Sequence, residues 1–77
     1  MNQDLAAVVA EVLGLEPDSV EPELSRQDED RWDSLAHLRL ITAVEERFSV
    51  KFTMEEIESI QTLADVDRLI GERAEKT

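Results

Sequence analysis

Both prolines of this 77-residue chain fall in one stretch, residues 15–33, "LEPDSVEPELSRQDEDRWD", which is rich in acids and lacks sustained apolar periodicity. On either side of it apolar residues recur at helical spacing, so the chain is built to form helices joined by one long first loop. Leu5, Val8, Val9, Val12 and Leu13 share a helical face, Asn2 can cap the start and Gly14 suits the stop, which predicts a helix over residues 3–14. Connections as long as 15–33 are uncommon in compact domains and are often functional. Leu15, Val20 and Leu24 are its apolar anchors to the core.

A second helix is expected over residues 34–48. Asp33 is its N-cap, because an aspartate carboxylate can accept the free N–H groups of a first turn. Leu35, Leu38, Ile41, Val44 and Phe48 form its apolar stripe, with Leu40 on the flank. Thr53 and Glu56 have capping-box spacing and open a short third helix, about 54–60. Thr62 and Asp65 repeat that arrangement before Leu63, Val66, Leu69 and Ile70, the stripe of a fourth helix over about 63–73, and the tail from Gly71 is expected to fray. The reading is all-α: a four-helix bundle in a single domain spanning 1–77, with no β-strand needed.

A chain this small buries only about 60% of the surface its unfolded form exposes, which leaves little room for a deep active-site cavity. There is no cysteine and one histidine, His37, so neither a disulfide nor a His-rich metal cluster is expected, and no acidic loop has EF-hand spacing. No membrane span and no secretory signal are visible, and a cytoplasmic location follows as the expectation. Nineteen acids against eight basic side chains give a net charge of −11, which repels nucleic acids and anionic membranes and attracts basic protein surfaces. The expected partner is another protein, met by a monomer. Residues 1–33 hold ten acids and two bases, and residues 34–77 nine and six, so the acidic field belongs mainly to the first half.

Ser34, which opens the second helix, admits three readings. Asp and Ser are the usual residues at helix starts, so capping alone accounts for the dipeptide. A nucleophile activated by His37, three residues on, would also need an orienting group, an oxyanion site and a water-excluding pocket, and none is visible. His37 is expected to be an exposed polar side chain. The third reading is covalent attachment: a phosphodiester on the Ser34 hydroxyl would sit where helix N–H groups favour an anion, although Asp33 beside it would oppose one.

The chain resembles the acyl carrier proteins. The resemblance rests on Gly14-Leu15 ending the first helix, Asp18-Ser19-Val20, the Asp33-Ser34-Leu35 triplet after a long loop, the "EERF" of residues 45–48 and the "TLADV" of residues 62–66. It implies an acyl-carrier-like four-helix bundle in which Ser34 receives 4′-phosphopantetheine from coenzyme A through a phosphopantetheinyl transferase. The terminal thiol of that arm would hold acyl groups as thioesters, with no catalysis by the carrier itself. Asp33 and Leu35 would contact the transferase and other partners. Glu45, Glu46 and Ile57, with Thr42, Glu55 and Glu56, match positions through which the family docks on acyl ligases, acyltransferases and downstream enzymes. As a residue-level alternative, the acids form a solvated face and Ile57 packs in the core.

Fatty-acid carriers usually place an acid directly after the triplet and another three residues on, where this chain has Ala36 and Arg39. Rim charges choose partners, so this points to a specialised carrier for a secondary-metabolite, polysaccharide or modified-lipid pathway. The family's leucine-glycine pair before the triplet is replaced by Arg31 and Trp32. Trp32 is read as packing, with shielding of the arm as the alternative, and Arg31 as solvated, with neutralisation of the phosphodiester as the alternative. An aminoacyl or peptidyl carrier and an unmodified acidic docking module remain the competing readings.

Overall fold

The computed structural model describes residues 2–74, with Ala74 by its backbone alone. Four α-helices follow in order: α1 (Gln3–Leu13), α2 (Ser34–Phe48), α3 (Met54–Ser59) and α4 (Leu63–Ala74), with a 3-10 turn at Pro17–Ser19 inside the long loop. The expected bundle is present, and among the described residues the only extended pairing is an isolated bridge between Ser25 and Thr62.

α1 starts where Asn2 Oδ1 accepts the N–H groups of Asp4 (2.8 Å) and Leu5 (3.3 Å). It stops at Gly14, whose φ of 68° lies in the left-handed region. A Cβ there would meet nothing within 4 Å, so the backbone angle alone calls for glycine. The Gly14 carbonyl accepts a hydrogen bond from Arg31 Nη1 at 2.6 Å. Arg31 is exposed, as expected, and also closes the C-terminus of α1, where a cation offsets the negative end of the helix.

The long loop is tied to the start of α4. The Pro22 and Leu24 carbonyls accept the N–H groups of Ala64 and Leu63, and Arg26 N–H donates to Gln61 O at 2.9 Å. First-turn N–H groups of α4, which have no partner within the helix, are thus satisfied by the loop. Val20 is buried, and Leu15 and Leu24 pack partly against the core as anticipated.

Capping by Asp33, whose Oδ1 accepts Ala36 N–H at 2.8 Å, fixes the first turn of α2. The buried face is only partly the one expected: Ile41 and Val44 are buried and Phe48 packs against the core as anticipated, Leu40 and His37 join them, and Leu35 and Leu38 are instead 59% and 57% exposed. At 100° per residue Leu35 stands about 180° from Val44. Two arcs of α2 carry leucines, and the inward one contains a histidine that apolar periodicity discounts. His37 is only 4% exposed, a second correction, because its ring is fully hydrogen-bonded inside the bundle.

α3 is six residues long and has no fully buried residue of its own. Its Thr53–Glu56 capping box forms in both directions, at 2.9 and 3.1 Å. Three polar tethers from three other segments hold the helix and its end. His37 Nε2 lies 2.9 Å from Ile57 O, Arg26 Nη1 donates to Ile60 O at 3.3 Å, and Arg73 pairs with Glu56. Ile57 is half-buried against the core. In α4 the expected stripe of Leu63, Val66, Leu69 and Ile70 is buried, and Asp65 accepts the N–H groups of Gln61 and Thr62. Residues 71–74 continue the helix where fraying was expected, and the rest of the tail, 75–77, lies outside the described residues.

Candidate functional site

Ser34 is the first residue of α2, exposed, and its hydroxyl makes no hydrogen bond among the described residues. An open groove of about 480 Å³ runs beside it, lined by Arg26, Gln27, Trp32, Asp33, Ser34 and Gln61. The loop wall of this groove is positioned by the backbone pairing of Arg26 with Gln61, and its helix wall by the Asp33 cap.

Beneath the serine, Trp32 is 2% exposed and its indole Nε1–H donates to His37 Nδ1 at 3.0 Å. Indole N–H can only donate, so Nδ1 is the bare nitrogen and the imidazole proton sits on Nε2, directed at Ile57 O. Burial holds the His37 pKa below its ordinary 6.5; the bond to Ile57 opposes this and the charge of Arg26 adds to it. Both ring nitrogens are engaged, which leaves no lone pair for the Ser34 proton. The geometry therefore supplies a free hydroxyl, but not an activated nucleophile. Trp32 is packing, as its preferred reading held, and it also orients the histidine.

An exposed, unpartnered hydroxyl at a helix start beside a polar groove suits covalent attachment of a flexible anionic arm. A family model described as a phosphopantetheine attachment site matches residues 3–70. The chain belongs to the acyl carrier protein family. An acyl carrier protein of Thermosynechococcus vestitus is 39% identical over 71 residues, covering 86% of this chain and 88% of that one. One from Acidothermus cellulolyticus is 34% identical over 61 residues, with 79% and 73% covered. The meromycolate extension acyl carrier protein of Mycolicibacterium aurum is 36% identical over 62 residues, with 80% and 64% covered. The solution structure of a holo acyl carrier protein from Geobacter metallireducens superposes with a TM-score of 0.84 at 26% identity, covering 95% of this chain and 84% of that one. The cofactor of this carrier is therefore phosphopantetheine.

The residues anticipated as partner contacts divide into two groups. Asp33 holds the Ala36 N–H, Glu45 holds the Phe52 N–H at 2.9 Å, and Glu56 serves its capping box and Arg73. The Glu56 carboxyl is held below the usual carboxylate range by the Thr53 N–H first and by Arg73 as well. The Thr42 hydroxyl donates to Leu38 O, and its side chain remains at the surface with Leu35, Glu46 and Glu55. Two exposed groups escaped the sequence reading of contacts, Leu38 and Met54, the last 70% exposed, while Arg39, singled out there for its charge, is exposed as well. Leu38 and Arg39 join Thr42, Ala43 and Glu46 around a shallow groove of about 340 Å³ on the outer face of α2. Their signal in the sequence was present, since Leu35, Leu38, Arg39, Thr42 and Glu46 lie on one helical arc. No helix among the described residues is long and apolar enough to cross a membrane.

Proposed function

We propose that Ser34 is the attachment residue and that the chain serves a specialised biosynthetic pathway as a cytoplasmic carrier. The observation that supports this is the Ser34 hydroxyl itself, exposed and unbonded at the first turn of α2 in a chain of the carrier family. Bound there, phosphopantetheine supplies a terminal thiol that holds an acyl group as a thioester. The residues of the chain do the rest. Asp33 fixes the turn that presents the hydroxyl, Trp32 and His37 hold that turn onto the bundle, and the outer face of α2 receives partner enzymes.

Those partners are a phosphopantetheinyl transferase, an acyl ligase or acyltransferase, and downstream acyl-processing enzymes. Leu35, Thr42, Glu46 and Glu55 are free to meet them, whereas Asp33, Glu45, Glu56 and Ile57 act mainly by shaping the surface. Specialisation is supported by charge: residues 34–60 hold five acids and three bases, and Arg39 stands exposed in the middle of the docking arc with no ion pair among the described residues. Opposite charge on a partner is attracted there and a basic partner surface is opposed. The test is reconstitution with a promiscuous transferase and a panel of acyl-coenzyme A donors. One acyl-phosphopantetheine per chain, with the acyl group released by hydroxylamine, is expected. A bound acyl group that resists hydroxylamine would contradict the thioester.

A further inference from the structure

We propose that Arg26 is the counter-charge of the phosphodiester that modification places on Ser34, and that the groove between them is where the anionic root of the arm rests. This assignment depends on Ser34 being the attachment residue.

Arg26 and Ser34 line the same groove, and Arg26 is not a freely swinging surface side chain. Its N–H is bonded to Gln61 O at 2.9 Å, its neighbour Ser25 is bridged to Thr62, and its Nη1 donates to Ile60 O at 3.3 Å. The side chain is thus anchored at Ile60 O on a half-buried residue that lines the groove. The influence of Arg26 reaches the first turn of α2, where its charge acts on His37.

Arg26 shares with Arg31, Arg39 and Lys51 the lack of an ion pair among the described residues, and of these four it alone is half-buried. Arg47 pairs with Asp4, Arg68 with Asp65 and Glu72, and Arg73 with Glu56, while Arg31 closes α1. Arg26 has no ion pair among the described residues, in a chain with more than twice as many acids as bases. Exposed Arg39 can rely on water, but the charge of a half-buried residue is less well solvated and gains more from an arriving anion. One guanidinium N–H goes to Ile60 O, and its other donors meet no acceptor among the described residues. A planar fork of donors suits two phosphate oxygens at once.

The same groove explains why a cation is needed. Asp33 lines it too, and a phosphodiester on the adjacent residue meets that carboxylate at short range. Asp33 Oδ1 is drawn toward the Ala36 N–H, and Arg26 opposes the repulsion from the other wall. Beyond the charge, Gln27 and Gln61 offer amides of both hydrogen-bond polarities, which match the hydroxyl and amide groups that continue such an arm.

The experiment compares wild type, Arg26→Gln and Arg26→Lys, each as apo protein and after enzymatic modification, with the added mass verified. Melting temperatures are taken at low and high salt, and 31P spectra are recorded for the modified forms. Modification is expected to be more favourable to Tm in wild type than in Arg26→Gln by about 2–5 °C, a gap that closes at high salt. The 31P resonance should shift and sharpen in Arg26→Gln as the phosphodiester loosens. Arg26→Lys, which keeps the charge and loses the fork, should fall between, and it carries the test if Arg26→Gln fails to fold. Equal apo-to-holo changes and one common 31P signal in modified proteins would overturn the Arg26 assignment alone. Absence of added mass from every form would remove the Ser34 reading and this assignment together.

Discussion

Replacing His37 with leucine should cost more than its half-polar character implies, because two hydrogen bonds across three segments end at its ring. The substitution leaves Trp32 Nε1–H, on a side chain 2% exposed, without its acceptor. A buried donor stranded in this way costs about 1–3 kcal/mol. Ile57 O also loses the His37 donor but keeps the Ile60 N–H at 3.4 Å, so its share is smaller, about 0.5–1 kcal/mol. Leucine regains some apolar burial, and the net loss is expected at about 2–3 kcal/mol, or roughly 10–20 °C in Tm. His37→Asn, which can present an amide oxygen where Nδ1 stood, should fall between. Urea unfolding followed by fluorescence reports on this locus directly, because Trp32 is the only tryptophan. The difference between wild type and His37→Leu should also depend on pH. The folded-state pKa lies below the unfolded 6.5, so as pH falls the unfolded chain binds the proton first. The stability given by neutral His37 is complete above about pH 6.5 and declines as pH drops from there toward the lowered value. His37→Leu within about 0.5 kcal/mol of wild type near neutral pH, with parallel pH profiles, would refute the reasoning.

Two helix ends give predictions of opposite sign. Gly14→Ala forces a Cβ onto a φ of 68° and should lower stability by about 1 kcal/mol, whereas Ser49→Gly relieves a φ of 54° at the C-cap of α2 and should raise it by about 0.5–1 kcal/mol, both read by urea unfolding. Ala36→Glu combined with Arg39→Glu should strengthen docking to fatty-acid synthase enzymes several-fold at low salt and lose that gain at high salt. Unchanged affinity at low salt would show that these positions do not choose partners.

The helices were legible because their ends are written in local chemistry. Asn2, Asp33, Thr53 and Thr62 each cap as their type and spacing require, and Gly14 stops α1 for a reason visible in one residue. What was not legible depends on partners distant along the chain. Arg31 reads as no more than solvated until Gly14 O is seen 17 residues away, and Arg26 is unremarkable until residues 60–61 lie against it. The misassigned part of the α2 face has the same origin: Leu35 and Leu38 continue the three-residue spacing of Ile41 and Val44 and read as one stripe until His37 is seen to be buried beside Leu40. Only the Trp32 indole and the Ile57 carbonyl make burial of His37 affordable. Leu35 was placed in two roles, core and contact, and its exposure removes the first.

The central claim is that Ser34 carries the arm, and its most direct test is modification of the intact protein by a promiscuous phosphopantetheinyl transferase with coenzyme A and magnesium, read by intact mass and peptide mapping. One phosphopantetheine on the peptide containing Ser34, absent from Ser34→Ala, is the predicted result. A folded helical protein that gains no mass beside a positive control, or gains it at another residue, would contradict the account.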